Sequence, residues 1–177
     1  MLDMVENSLN RLGGEAVENK RNSRKNGEKF IWYSKDKNTQ IKTRLSLDGE
    51  NLSSEHSHFK ARSSAKDGPG REWLYDFILR EYDAEHNFVG VPLIAEIEFS
   101  DSKSGGLIYD LNKLLQADAD HKVFIFQQKD EASWNGILAR LEHSISRYRH
   151  KVPCTFLISC WLTSQYVFRH TRITVTP

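Results

Sequence analysis

The segment between residues 91 and 126 constrains the fold of this chain more than any other part of the sequence. It begins with VPLIAEIEFS, a run rich in β-formers in which Pro92 stands near the start, where a missing ladder donor is tolerated. LIYDLNKLLQAD then places its leucines on one helical face, and the apolar run KVFIF (Lys122–Phe126) is typical of a buried strand. With a strand-like run before them, these segments predict an α/β fold with a mixed central sheet flanked by helices.

The length of 177 residues is that of one domain, large enough to bury a core without disulfides or structural metal. We therefore predict a single domain over residues 1–177, with an N-terminal helix and connector in residues 1–28 and an acidic core in residues 72–126. The formal net charge of +1 indicates no partner by itself. No apolar run approaches the ~20 residues that span a bilayer, and the N-terminus lacks the apolar stretch of a signal peptide, so a cytoplasmic location is expected.

The N-terminal half contains weaker patterns. Apolar residues along one stripe predict a helix from Leu2 to about Val17, followed by a polar connector over residues 18–28. An aromatic run at residues 30–33 and an alternating run at residues 41–47 predict a β-hairpin. Residues 48–70 are predicted to form a loop, and REWLYDFILREYD after it is predicted to contain a strand.

The C-terminal third combines a helix with two strands. Ser133 is a plausible N-cap for a helix with one apolar face, and the runs TFLISCWL and YVFRHTRITV are strand-like. Cys154 and Cys160 have an even separation that places both on one face of a strand, so we expect buried free thiols in a reducing compartment.

Three carboxylates lead to the functional hypothesis. Glu96 and Glu98 stand two apart on a predicted strand, so both side chains point to one face. Asp76 stands among apolar residues of the preceding strand, where an ionised group has to be paired, solvated or metal-bound. If the two strands are neighbours, the three carboxylates converge and offer the hard oxygen ligands that Mg²⁺ prefers. We predict a Mg²⁺ site there, with Mn²⁺ able to substitute.

This arrangement resembles the PD-(D/E)xK, or restriction-endonuclease-like, nuclease superfamily. The core of that family runs helix, three strands, helix, strand, with an Asp on the second strand and a (D/E)-x-K on the third. Asp76 matches the first acid and Glu96 the second, whereas Tyr75 replaces the family's proline and Glu98 its lysine. Some active members carry E-x-E there, and others place the lysine on the following helix, where this chain has Lys113.

The resemblance implies a metal-dependent endonuclease that hydrolyses phosphodiester bonds in DNA or, as the less favoured substrate, RNA. Asp76 and Glu96 would hold Mg²⁺, which polarises the scissile phosphate and lowers the pKa of a bound water. Glu98 would complete the coordination or take the proton of that water. Lys113 would offset the charge that develops on the phosphate.

Basic residues outnumber acidic ones between residues 20 and 66, as expected of a surface that contacts phosphates beside an acidic site. Lys42 and Arg44 lie two apart on a predicted strand and are expected to contact the nucleic-acid backbone. Lys60 and Arg62 are further predicted nucleic-acid contacts. A solvated surface with no partner remains the alternative.

Other features support these hypotheses less directly. Trp32, Tyr33 and Phe59 lie beside the basic residues and could stack on unpaired bases, although aromatic residues in strands more often belong to the core. Some relatives add a carboxylate from the first helix, for which Glu15 and Glu18 are available. Many restriction-like enzymes also act as homodimers, so a homodimer is implied by analogy.

Alternatives to the nuclease hypothesis remain open. Asp110 and Lys113 could be an exposed helical i,i+3 pair, and E-x-E could be the solvated face of an edge strand. A non-catalytic relative that binds nucleic acid or protein is the second function considered, because Glu98 occupies the lysine position. The third is an α/β domain outside the superfamily. The HSH sequence at residues 56–58 lacks further metal ligands at a supporting spacing, and no nucleophile elbow or glycine-rich phosphate loop occurs.

Overall fold

The computed structural model describes residues 1–56, 58–64, 74–101 and 103–177, which form four helices and six strands. The helices are α1 (Leu2–Lys25), α2 (Ser34–Glu55), α3 (Ser104–Gln116) and α4 (Glu131–Arg147). The strands are β1 (Phe59–Ser63), β2 (Phe77–Tyr82), β3 (Phe88–Glu98), β4 (His121–Gln128), β5 (Cys154–Leu162) and β6 (Val167–Val175). Within these ranges, none of the helices has both the length and the apolar character needed to cross a bilayer.

The six strands form one mixed sheet in the order β1-β2-β3-β4-β5-β6. β1, β2 and β3 pair antiparallel, as do β5 and β6. β3, β4 and β5 pair in parallel, because α3 and α4 return the chain to the same end of the sheet. The prediction of an α/β fold with a mixed central sheet flanked by helices is confirmed.

The sheet separates two hydrophobic cores. On one side, which we call the α1/α2 face, Trp161 packs against Trp32 and Phe168 with ring centroids 4.9 and 5.0 Å apart. On the other side, the α3/α4 face, α3 lies over β3 and β4, and α4 lies over β4 and β5. Because successive side chains of a strand alternate, Ile94 belongs to the core of the α3/α4 face, and Glu96 points to that same face.

The central and C-terminal elements lie where the sequence predicts them. α3, β4, α4 and the β5–β6 hairpin cover the expected segments, and Cys154 and Cys160 are buried free thiols. One detail differs, because Asp130 rather than Ser133 is the N-cap of α4. The Asp130 carboxylate accepts a hydrogen bond of 2.9 Å from the backbone N–H of Ser133, so the helix begins two residues before Ser133.

The hairpin predicted over residues 30–47 is wrong, because residues 34–47 belong to helix α2 and residues 30–33 precede it without forming a strand. Ile41 and Leu45 are buried, whereas Leu47 is 48% exposed, so the buried positions recur every four residues rather than every two. A spacing of four residues, such as that between Ile41 and Leu45, fits both the period of a strand and that of a helix. A segment this short does not distinguish the two periods.

Two further boundaries differ from prediction. α1 continues to Lys25, so most of the predicted connector is helical, and the i,i+3 pair of Glu18 and Arg21 lies on this added part. β1 lies within the predicted loop. Its composition alone does not favour a strand, and pairing with β2 provides its backbone hydrogen bonds. The predicted strand after it corresponds to β2, and residues 65–73 lie outside the described ranges.

Candidate active site

Asp76 and Glu96 approach each other through the pairing of β2 with β3. Phe77, the first residue of β2, pairs with Ala95, so Asp76 stands beside Glu96 just before the strand begins. The sequence pattern predicted Asp76 inside the strand, whereas Asp76 lies one residue before β2 begins. Asp76 Oδ2 accepts a hydrogen bond of 2.7 Å from the backbone N–H of Ile97, which holds the carboxylate against β3.

Helix α3 brings Asp110 and Lys113 to the same place. Their spacing of three residues puts both side chains on one side of the helix. Lys113 Nζ lies 2.8 Å from Asp110 Oδ1 and 3.3 Å from Glu96 Oε2, so the ammonium links the helix to β3. Lys113, which the resemblance suggested as a migrated lysine, therefore lies beside Glu96.

Helix α2 adds a second lysine. Lys42 Nζ lies 2.5 Å from Asp76 Oδ1 and donates a hydrogen bond of 2.7 Å to Ser64 Oγ. Sequence reasoning assigned Lys42 to phosphate contacts on a strand and missed its contact with Asp76. That contact depends on α2 being a helix, so no signal in the misassigned segment could have revealed it.

These side chains line one open cavity of about 640 Å³, which we call the acid cavity. All four predicted catalytic residues contribute to it, together with residues from α2, α3 and the approach to β2. Its lining comprises Asn38, Lys42, Leu74, Asp76, Glu96, Ile97, Glu98, Asp110 and Lys113. Acidic and basic groups thus meet in one place from four parts of the chain.

Glu96 is the most buried acid of the cavity, with 5% of its surface exposed. Burial, and then the negative charge of Asp76, raise the pKa of Glu96 to about 7, although Lys113 acts in the opposite direction. Burial alone would lower the pKa of Lys113, but its hydrogen bond with Asp110 and the charge of Glu96 raise it, so the ammonium stays protonated at neutral pH. The cavity therefore holds a carboxyl group that changes protonation near neutrality beside a permanent cation.

Glu98 lines the cavity, but its carboxylate serves the turn that follows β3. Glu98 Oε1 accepts hydrogen bonds from the backbone N–H groups of Ser100 and Asp101 and from the Ser100 hydroxyl. Across the described ranges, no three histidine, cysteine or acidic side chains are grouped closely enough to hold a metal ion. A metal site formed by Asp76, Glu96 and Glu98 together therefore stays a prediction.

The four predicted nucleic-acid contacts do not form a single patch. Lys42 lies in the acid cavity, whereas Arg44 points toward α1, where its guanidinium is 3.8 Å from Glu15. Lys60 and Arg62 lie on β1, where the residues that alternate with them, Ala61 and Ser63, are buried. Lys60 and Arg62 therefore project from the α3/α4 face. Nucleic-acid binding by these residues stays a prediction.

The first-helix carboxylates lie elsewhere. Glu15 pairs with Arg11 at 3.3 Å, and Glu18 pairs with Arg21 at 3.3 Å, both on the exposed side of α1. Neither residue lines the acid cavity. A role for them as additional metal ligands gains no support from their position.

The aromatic and histidine candidates divide between core and surface. Trp32 is buried, Phe59 packs against the core of the α1/α2 face, and Tyr33 is 61% exposed beside α2. His56 and His58 have ring centroids 5.7 Å apart, and the serine between them lies outside the described residues.

No protein-family model matches this chain, and neither a curated protein nor a solved structure shows significant similarity to it. The chemistry of the acid cavity is therefore inferred from its own residues.

Proposed function

We propose that this chain is a divalent-metal-dependent nuclease that hydrolyses phosphodiester bonds in DNA or, less favoured, RNA. The observation that carries the proposal is the convergence of Asp76, Glu96 and Lys113 in the acid cavity. These residues come from the approach to β2, from β3 and from α3. They occupy the positions that the resemblance assigns to the two acids and the migrated lysine of a PD-(D/E)xK nuclease.

The order of elements supports a restriction-endonuclease-like core. α2, β1, β2, β3, α3 and β4 follow one another as a helix, three strands, a helix and a strand. The acid cavity lies where β2 begins and β3 ends, on the two strands that carry the acids in that family. On this proposal, α1, α4 and the β5–β6 hairpin are additions around the core.

The cavity residues fit a hard divalent cation such as Mg²⁺ or Mn²⁺. Asp76 and Glu96 are close enough for the charge of one to raise the pKa of the other, so the two ionised carboxylates repel each other. A cation between them would favour both ionised forms, and carboxylate oxygens are the ligands that Mg²⁺ prefers. When bound, such an ion polarises the scissile phosphate and lowers the pKa of a water molecule. Glu98 uses Oε1 for the turn after β3, so Oε2 is the oxygen with which it could join these ligands.

Among the described residues, Lys113 is the cation best placed to contact the substrate. Its side chain is 43% exposed, and its contacts with Asp110 and Glu96 hold the ammonium at the wall of the cavity. A fixed positive charge there offsets the negative charge that develops on the phosphate during hydrolysis.

A specific observation favours the second function, a non-catalytic relative that binds nucleic acid or protein. Lys42 pairs with Asp76, and Lys113 pairs with both Glu96 and Asp110, so three acids of the cavity are paired without a metal ion. A cavity whose acids are already paired in this way could serve only to hold β2, β3 and α3 together.

The two functions are separated by a cleavage assay combined with thermal unfolding. Supercoiled plasmid and labelled oligonucleotides are incubated with the purified chain in Mg²⁺, Mn²⁺ or EDTA, and melting temperatures are measured with and without Mn²⁺. We expect cleavage and a higher melting temperature with metal only. Asp76→Asn should abolish both effects, whereas the matched control Asp118→Asn, at an exposed site before β4, should retain them.

Each outcome decides between the functions. Loss of cleavage and of the metal-dependent melting shift in Asp76→Asn alone supports the nuclease. Intact nucleic acid together with an unchanged melting temperature in the wild-type chain favours the non-catalytic relative.

A further inference from the structure

Part of the sheet beside the acid cavity has little helix packed over it. α3 packs mainly over β3 and β4, and α4 over β4 and β5, whereas α2 covers β1 and β2 only from the α1/α2 face. Among the described residues, the α3/α4 face of β1 and β2 therefore lacks a packed helix of its own. Side chains on this face extend away from the acid cavity along both strands.

These side chains are basic and aromatic. Lys60 and Arg62 project from β1, and their pairing partners on β2 include Arg80. Tyr82 follows on the same face, with Lys60 Nζ 4.6 Å and Arg80 Cζ 5.7 Å from its ring centroid. We call these four residues the β1–β2 strip. Phe88, which is 49% exposed, continues it, with its ring 5.9 Å from that of Tyr82.

The strip has one sign of charge. Among the described residues of β1 and β2, the acid is Glu81, which alternates with Arg80 and Tyr82 and so projects from the α1/α2 face. Arg62 stands opposite Ile78, two residues from Asp76, and six residue steps along β2, or ~20 Å, separate Asp76 from Tyr82. The strip therefore runs along the two strands from near Asp76 to Tyr82.

We infer that the β1–β2 strip binds single-stranded nucleic acid and leads it to the acid cavity, an inference that rests on the proposed function. Lysine and arginine side chains along a track neutralise successive phosphates without reading sequence. A tyrosine ring flanked by cations offers a stacking surface for a base, which is available in a single strand and hidden in a duplex. Charge and ring together therefore fit a single strand better than a duplex.

The experiment measures binding in EDTA, so that its result does not depend on metal or cleavage. Fluorescence anisotropy compares a labelled single strand with a duplex of the same sequence. Two double variants each remove two positive charges: Lys60→Met with Arg62→Met in the strip, and Arg24→Met with Lys25→Met as the matched control at the exposed end of α1. Tyr82→Leu removes the ring, and Tyr82→Phe retains it.

We expect the wild-type chain to bind the single strand more tightly than the duplex. The strip double variant should weaken this binding by about tenfold or more and reduce its salt dependence by about one unit of slope, whereas the α1 control should change little. Tyr82→Leu should weaken binding by about tenfold, and Tyr82→Phe should not.

Tighter binding of the duplex, or equal losses in the strip and control variants, would overturn the inference. The two proposals can fail separately. Strip-dependent binding in EDTA without metal-supported cleavage would retain the single-strand site and reject the nuclease. Cleavage that is insensitive to the strip variants, with no strip-dependent binding, would retain the nuclease and reject the strip.

Discussion

Lys37 and Glu96 are both almost completely buried, with 4% and 5% of their surfaces exposed, but their surroundings differ. The ammonium of Lys37 donates a hydrogen bond of 2.6 Å to the backbone carbonyl of Trp32 and lies 5.6 and 5.7 Å from the rings of Trp32 and Phe99. Burial lowers the pKa of Lys37 to about 8. Glu96 instead lines the open acid cavity, where burial and Asp76 raise its pKa to about 7.

The difference shows that a buried charge with a shifted pKa does not by itself identify a functional site. Lys37 is held by a carbonyl only five residues away, so its position is explained by attachment of the segment before α2 to the core. Glu96 meets charged side chains from α3 and from the approach to β2, around a space that can admit a ligand. Convergence of charges from several elements on an open space distinguishes the second case.

Glu96→Gln should give the largest effect. If the nuclease proposal is right, cleavage should fall by about a hundredfold or more, because a neutral amide neither binds the cation as a carboxylate does nor exchanges a proton. The folded chain should nevertheless become more stable above about pH 7, by at most about 3 kcal/mol, because a buried charge and its repulsion with Asp76 are removed.

The sign of this pH dependence is fixed by the raised pKa of Glu96. Between about pH 4.5 and about 7 the folded state binds more protons at this position than the unfolded state, so its stabilising contribution is lost as pH rises. Denaturant unfolding over this range should show a steeper decline for the wild type than for Glu96→Gln. Glu142→Gln, at an exposed site on α4, is the matched control. Identical slopes in wild type and Glu96→Gln would contradict the prediction.

Lys37→Met should change stability and leave cleavage intact. The variant removes the donor to the carbonyl of Trp32, and an unsatisfied buried acceptor costs about 1–3 kcal/mol, offset in part by removal of a buried charge. Between about pH 8 and 10.5 the unfolded state binds more protons than the folded one, so wild-type stability rises with pH there.

This rise should be absent in Lys37→Met and present in the control Lys35→Met, at an exposed position of the same helix. Denaturant unfolding across the pH range measures it, and plasmid nicking measures function. A large loss of cleavage in a folded Lys37→Met variant would remove the distinction between Lys37 as a structural charge and Glu96 as part of the proposed site.

Lys42→Met tests whether the lysine competes with a metal ion. The ammonium lies 2.5 Å from Asp76 Oδ1, where it occupies one oxygen of a proposed ligand. Removing the ammonium should raise the affinity for Mn²⁺ by about tenfold. Calorimetry in the absence of nucleic acid measures this affinity without any cleavage. Weaker Mn²⁺ binding would mean that Lys42 positions Asp76 rather than competing for it. Lys60→Met serves as the control for a general loss of positive charge.

The sequence allowed α3 to be predicted because its leucines recur at helical spacing, and β3 and β4 because short runs rich in β-formers are typical of buried strands. α2 was missed because the burial of Ile41 and Leu45 fits either period, and Thr43 between them imitates a strand. The site followed the same division. Local patterns placed Glu96 on a strand and Lys113 on the following helix, whereas the contact of Lys42 with Asp76 depends on tertiary packing that no local pattern encodes.

Glu98→Gln should give the smallest effect. The amide oxygen can still accept hydrogen bonds from the backbone N–H groups of Ser100 and Asp101, so the turn should persist. If the carboxylate serves only this turn, cleavage and Mn²⁺ affinity should change by no more than about twofold. Glu98→Ala, which removes the acceptor, should lower the free energy of unfolding by about 1 kcal/mol. A loss of Mn²⁺ affinity in Glu98→Gln as large as that in Glu96→Gln would instead mean that Glu98 binds the metal, which would place both glutamates of E-x-E on the cation.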